Sequence, residues 1–317
     1  MHRDVGQRSL AEALVQGGVN ARLDRIAEFI DWSRVGRLLE GIYSSSTGRP
    51  SYPPLVLLKV LLLQGWYGLS DPAMEEALGD RLSFRRFAGL GLDEPVPDHS
   101  TISRFRTLLS DRGLAETLFS EVTGQIEAGG LVVKAGTLID ATLIDAAAAE
   151  PARQKGGGRS AADPDANWQK YSNGQARFGY KLHAAVDWGT GIVRRAILTP
   201  ASIAEVEKGH ELVIGDERSV YADKAYVGPR MRERLRADGI RDRVQHRAQK
   251  NRPLTARQHL RNQLIGRIRG RIEGVFGALK RSYGLSRMRF MGLRRNSAAT
   301  LMTLIAWNLA RAADRLA

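Results

Sequence analysis

The 317-residue chain contains no cysteine. Disulfides, thiolate zinc sites, iron–sulfur clusters and cysteine nucleophiles are excluded together, so any metal has to be held by oxygen or imidazole. Long apolar runs are also missing. The longest, Leu55 to Leu63, is interrupted by Lys59 and stops at Gln64, well short of the roughly 20 residues a membrane span needs. A buried helix is expected there, and no membrane partner. The opening Met1-His2-Arg3-Asp4 leads into mixed polar sequence without an apolar h-region, so no secretory signal and a cytoplasmic location are expected. Acids become scarce late in the chain: Glu273 is the lone one between Asp242 and Asp314.

Arginine and lysine are in excess. Forty-eight of them against 34 acids give a net charge of +14 and a pI near 10.4. The excess is localised, since residues 230–295 hold 20 Lys+Arg and 4 Asp+Glu, a local +16 that leaves the remainder at −2. Single basic runs are often plain solvated faces. An excess this long and this poorly balanced points to a phosphate-bearing polyanion. No long amphipathic segment with a bulky apolar face accompanies the arginines, which disfavours an anionic membrane surface. With 43% hydrophobic residues the chain can bury a full core, and its length suggests two domains.

Residues 1 to about 125 read as helical. Asp71-Pro72 resembles a helix start with an N-cap carboxylate, Pro at the first helical position and Glu75 and Glu76 in the first turn. In Pro97-Asp98-His99-Ser100, Asp98 or Ser100 can cap a helix whose Ile102, Phe105 and Leu109 form an inner stripe while Arg104 and Arg106 face outward. Such a helix suits a helix-turn-helix module, although most short amphipathic helices of this kind are ordinary surface helices. The period then changes. Leu131 to Ile144 is apolar and β-branched, as in a strand near the core. Residues 150–177 are Gly-, Pro- and polar-rich and predict a mobile loop. Gly179–Val186 and Gly191–Leu198 flank the turn-forming Asp187-Trp188-Gly189-Thr190 as a β-hairpin, Ser219–Asp223 reads as a short strand, and Gly228–Ala237 as a helix. The order describes a mixed α/β sheet domain from about residue 128.

Enzymes that cut and join phosphodiesters stabilise charge on the attacking and leaving oxygens, which two divalent cations about 4 Å apart can do. Hard Mg²⁺ wants carboxylates. Asp140 interrupts an apolar strand, where an ionised carboxylate is costly unless solvated, paired or metal-bound. Asp145 competes, but the alanines after it suggest it is leaving the sheet. Asp223 closes a short strand, where sites gather in α/β sheets, though an Asp there is as often a helix cap. Glu273 lies on a helix from about Ala256 to Arg281 whose core stripe is Ile265, Ile268, Ile272, Val275 and Leu279, with Arg269 and Lys280 on its own edge. A surface salt bridge to Arg269 is the plain explanation, and a metal ligand flanked by phosphate-holding cations the sharper one.

Five segments in order carry a resemblance: Pro97-Asp98-His99-Ser100-Thr101-Ile102-Ser103-Arg104-Phe105-Arg106, Asp140-Ala141-Thr142-Leu143-Ile144, Phe178-Gly179-Tyr180-Lys181-Leu182-His183, Tyr221-Ala222-Asp223-Lys224-Ala225-Tyr226, and Arg269 through Lys280. From about residue 50 onward the chain resembles the DDE transposases of bacterial insertion sequences, specifically the insertion-sequence-five family of the insertion-sequence-four superfamily. The resemblance implies an RNase H-like mixed-sheet catalytic domain, residues 128–317, preceded by an all-helical DNA-binding region, residues 1–127. It implies Asp140, Asp223 and Glu273 as catalytic metal ligands, Mg²⁺ with Mn²⁺ able to substitute, and cleavage that leaves a 3′-hydroxyl which attacks target DNA. The partners implied are double-stranded terminal inverted repeats and target, bound by a homodimer in the bacterial cytoplasm at the nucleoid. Of the superfamily's Tyr, Arg, Glu, Lys helix signature, Arg269, Glu273 and Lys280 match, and Gly266 stands where the tyrosine would be. Lys181, Arg269, Lys280, Arg104 and Arg106 are the expected DNA contacts, while His183 reads as a hydrogen-bonded structural residue. A DNA-binding module without catalysis and a nuclease that cleaves without joining remain the alternatives.

Overall fold

The computed structural model describes residues 20–43, 51–151, 160–171 and 174–317; expectations for the remaining residues lie outside it. Contacts divide the chain into two units, Met1–Gly129 with Ala298–Ala317, and Gly130–Ser297.

Among the described residues of the first unit the elements before Gly129 are all helical: α1 (Ala21–Phe29), α2 (Trp32–Leu38), α3 (Pro54–Tyr67), α4 (Asp71–Asp80), α5 (Leu82–Ala88), α6 (His99–Asp111) and α7 (Leu114–Ala128). The apolar run became α3, buried on nearly every side because Val56, Leu57, Leu58, Val60, Leu61, Leu62 and Leu63 occupy all its faces. It starts at Pro54 and ends at Gly68, whose φ of 64° ends the helix without a Cβ penalty. The start of α4 differs from expectation. Ser70 is the cap, its hydroxyl accepting from the Ala73 N–H at 3.3 Å, and Asp71 is already inside the helix. At α6 the cap is Asp98, which accepts from the Thr101 N–H at 2.7 Å, and Ile102, Phe105 and Leu109 are buried as their spacing predicts.

Among its described residues the second unit holds one mixed sheet of β1 (Thr137–Asp145), β2 (Asn167–Lys170), β3 (Ala176–Asp187), β4 (Val193–Pro200), β5 (Ser219–Ala222) and β6 (Arg241–Val244). Its order is β2-β3-β1-β5-β6, with β4 also paired to β3. β3 runs antiparallel to β1, β2 and β4, while β5 is parallel to both β1 and β6. The helices α8 (Glu205–Lys208), α9 (Pro229–Ala237) and α10 (Ala256–Ser282) follow β4, β5 and β6 respectively. Ile139, Val220 and Ala222 of the sheet are buried in one cluster with Leu212, Tyr226, Met231 and Leu235.

Three expectations are corrected. The strand begins at Thr137 rather than Leu131, because Lys134 turns the chain at φ 57° and its N–H donates to Asp187 Oδ1 at 2.9 Å. Asp145 has not left the sheet: it closes β1 opposite Gly179 and bridges to Arg287. The expected loop at 150–177 contains β2, which pairs with the start of β3. Helix α11 (Leu293–Arg315) begins in the second unit and belongs to the first from Ala298. There the Ala306 carbonyl accepts from Trp66 Nε1 at 2.7 Å, and Asn308 donates to Thr123 Oγ1 at 3.3 Å.

Candidate functional site

Three elements of the second unit carry the acids. Ile139 of β1 is the register partner of Ala222 of β5 in a parallel pairing, so the next residues, Asp140 and Asp223, stand at one level of neighbouring strands. The chain leaves the sheet at Asp223, whose carbonyl accepts from the Tyr226 N–H at 3.0 Å. Asp223 stands at the N-cap of the short 3-10 turn Lys224–Tyr226, but its side chain makes no capping bond. Glu273 comes from α10, where Ile265, Ile272, Val275, Phe276 and Leu279 are buried and Ile268 is half-buried. That stripe turns Arg269 and Glu273, one turn apart, toward β1.

Arg269 joins these acids. Its Nη1 donates to Asp140 Oδ2, and its Nη2 lies 3.7 Å from Glu273 Oε1. Its Nε is buried without a partner. The side chains of Asp140 and Arg269 are 18% and 17% exposed and that of Glu273 67%, so the pair with Asp140 is the sheltered one. Burial pushes the Asp140 carboxyl up to about 6; Arg269 and the Ala141 N–H oppose this, and the charges of Asp223 and Glu273 add to it. Three carboxylates thus act on one another with one guanidinium between two of them.

As the side chains stand, no three His, Asp or Glu among the described residues converge to hold a metal ion. The donor set nonetheless fits a hard divalent cation in kind, being all carboxylate. Asp140 on β1 and Asp223 just past the end of β5 stand at one level, and Arg269 lies between Asp140 and Glu273.

The other expected site residues divide. Lys181, expected at a phosphate, is buried, donating to the Ile203 carbonyl at 2.7 Å and pairing with Glu205 at 2.9 Å. That expectation is corrected, for α8 supplies a carboxylate that the strand pattern could not reveal. Arg106 also points inward, onto Asp71 at 2.5 and 3.1 Å and Gln64 at 2.9 Å. Arg104 stays exposed, bonded only to Ser100 and Thr101 of its own helix. Lys280 is half-buried away from the acids, where burial and Arg177 lower its pKa and Asp145 opposes them. Asp145 itself is engaged by Arg177 at 2.6 Å. His183 is fully buried with Nε2 3.1 Å from Thr199 Oγ1, and burial, aided by the Lys181 charge, pulls it down to about 4.

Sequence reasoning gave Tyr226 no role. Its ring is buried, its hydroxyl has no hydrogen-bond partner, and burial plus the charges of Asp140, Glu205 and Asp223 push its pKa far up. Its place three residues after Asp223 was the available signal. Of the 20 cations in residues 230–295, all but Arg261, Arg269 and Lys280 are exposed.

Two family models match the chain. The family described as "Transposase domain (DUF772)" matches residues 11–108, and "Transposase DDE domain" matches residues 133–309. Among solved structures, piggyBac transposase in a synaptic complex with hairpin DNA matches 92% of this chain and 72% of its own at 11% identity. Its TM-score of 0.43 is too low to carry an argument. The second match spans more than half of the chain, from before β1 to within α11, and includes all three acids: the chain belongs to the transposase DDE domain family.

Proposed function

We propose that the chain is an insertion-sequence transposase, of the insertion-sequence-five family, that cleaves DNA at transposon ends and joins the resulting 3′-hydroxyl to target DNA. The observation that carries this reading is the level placement of Asp140 on β1 and Asp223 at the end of the parallel neighbour β5, with Glu273 tied to Asp140 through Arg269. The mixed sheet with α10 beside it supports an RNase H-like catalytic domain starting near residue 128, and the helices before it a DNA-binding region.

Asp140, Asp223 and Glu273 would hold the ion, Mg²⁺ or in its place Mn²⁺, which when bound stabilises charge on the attacking and leaving oxygens. The chain's own work is positioning. The β1–β5 pairing positions one carboxylate on β1 and a second just past the end of β5, and the buried stripe of α10 positions the third. The exposed cations of residues 230–295 neutralise phosphates of double-stranded terminal repeats and target, fixing the register of the duplex. A homodimer that brings two ends together completes the proposal.

Asp140→Ala tests it, because the change removes a hard ligand and no cation. With Mg²⁺ and transposon-end DNA the wild type should release 3′-hydroxyl ends and join them to a target. The variant should do neither while retarding the same DNA in a gel. A wild type that binds without nicking in Mg²⁺ or Mn²⁺ would make the chain a DNA-binding module; one that nicks without joining, a nuclease.

A further inference from the structure

Arg269 is placed unlike the other cations of its tract. Most of those are exposed, whereas Arg269 is four-fifths buried and spends its guanidinium on two carboxylates. Both belong to the set assigned above to the divalent ion. One cation, carried by the chain itself, therefore sits between Asp140 and Glu273, and as the side chains stand no three acids among the described residues converge to hold a metal. Its Nε, buried without a partner, marks this as a position the side chain holds incompletely satisfied.

We propose that Arg269 is the resident counter-ion of the acid cluster and is exchanged for the divalent ion. The metal and the Arg269 contacts compete for the same Asp140 and Glu273 oxygens, so entry of one expels the other. The expelled guanidinium stays on α10 beside the acids and becomes a phosphate contact there, one that exists only when metal is bound. Metal loading and DNA grip are thereby coupled through one side chain, and by reciprocity DNA strengthens metal binding to the same extent. The inference rests on the assignment of the acids made above.

Two measurements test it, neither reading catalysis. Mn²⁺ is titrated without DNA into wild type, Arg269→Gln and Asp140→Asn, each checked for an unchanged thermal melt; Arg269→Lys, which cannot span two carboxylates, replaces the glutamine variant if that does not fold. Loss of the competitor should tighten Mn²⁺ binding about five- to tenfold. The salt dependence of affinity for a duplex of arbitrary sequence is then compared with and without Mn²⁺. The metal should steepen the wild-type slope of log K against log salt by about 0.9 more than the variant's, the signature of one added phosphate contact. If Asp140→Asn binds Mn²⁺ as the wild type does, the acid assignment fails and the inference with it. If Asp140→Asn loses the ion but the arginine variant binds it no better, or both proteins gain the same slope, the assignment stands and the exchange is wrong.

Discussion

Arg106 holds both carboxylate oxygens of Asp71, at 2.5 and 3.1 Å, with Gln64 bonded to both partners. Arg104, two residues earlier, bonds only to its own helix. The two arginines, indistinguishable as outward-facing cations in sequence, therefore have different work. Arg106→Ala should cost about 1–2 kcal/mol of stability, since the pair is three-quarters buried, and change DNA affinity little once the protein is folded. Arg104→Ala should leave the denaturation midpoint unchanged and weaken duplex binding severalfold. The reverse pattern in denaturation and gel-shift titrations would refute the division.

Arg85 is buried, and its guanidinium makes five donations to the carbonyls of Gly91, Leu78, Leu92 and Glu94. One side chain thus fastens the segment between α5 and α6. Arg85→Met should lose about 3 kcal/mol or more by urea denaturation, because buried carbonyls are left without donors. A loss below about 1 kcal/mol would mean that water replaces the fork.

Lys59 lies over the rings of Trp32 and Phe87, 4.6 and 5.4 Å from their centroids, and burial pulls its pKa down to about 8. The ring faces recover part of what desolvation takes. The folded chain releases this proton at about pH 8 and the unfolded one near 10.5. Stability from this group therefore rises with pH across that window, and at pH 7 the ammonium bears its full burial cost. Lys59→Met should stabilise the first unit at pH 7 by about 1–3 kcal/mol, with the advantage shrinking toward pH 10. A constant advantage in thermal melts across that range would show that the ammonium is solvated.

A side chain at Gly179 has nowhere to go. A Cβ there would lie 2.1 Å from the Ile144 carbonyl oxygen and 2.8 Å from the Ala146 nitrogen, both backbone atoms of the segment that ends β1. Gly179→Ala should cost at least about 2–3 kcal/mol in chemical denaturation, because neither neighbour can rotate aside. Near-neutral stability would mean that the β1–β3 pairing is looser than its register suggests.

Legibility in the sequence followed the physics. Asp140 was visible because a charge in an apolar strand is costly, and Ile102, Phe105 and Leu109 because burial imposes a period on a helix. β2 was hidden: Asn167-Trp168-Gln169-Lys170 is mostly polar, and only its pairing with residues 176–179 of β3 makes it a strand. Lys181 was placed on the right strand with the wrong partner, since Glu205 reaches it from beyond β4. The cap of α4 was misassigned because Ser70 and Asp71 are both good caps, and what claimed Asp71 was Arg106, 35 residues away. Local rules name the elements, and long-range partners decide what the charged tips do.

The run of α10 along β1 has a mechanical consequence. From Arg269 to Lys280 the helix advances about 16 Å, and from Asp140 to Asp145 the strand advances about 16 Å as well. Arg269 meets Asp140 at one end, and Lys280 lies in the fields of Asp145 and Arg177 at the other. The two elements form a vernier whose scales agree at both marks. Inserting one residue into α10 between the marks would leave the first alignment intact and swing Lys280 by about 100° around the helix axis. Inserting one into β1 would instead turn every later side chain to the opposite face of the sheet. Lengths between these four positions therefore keep the helix and the strand in step.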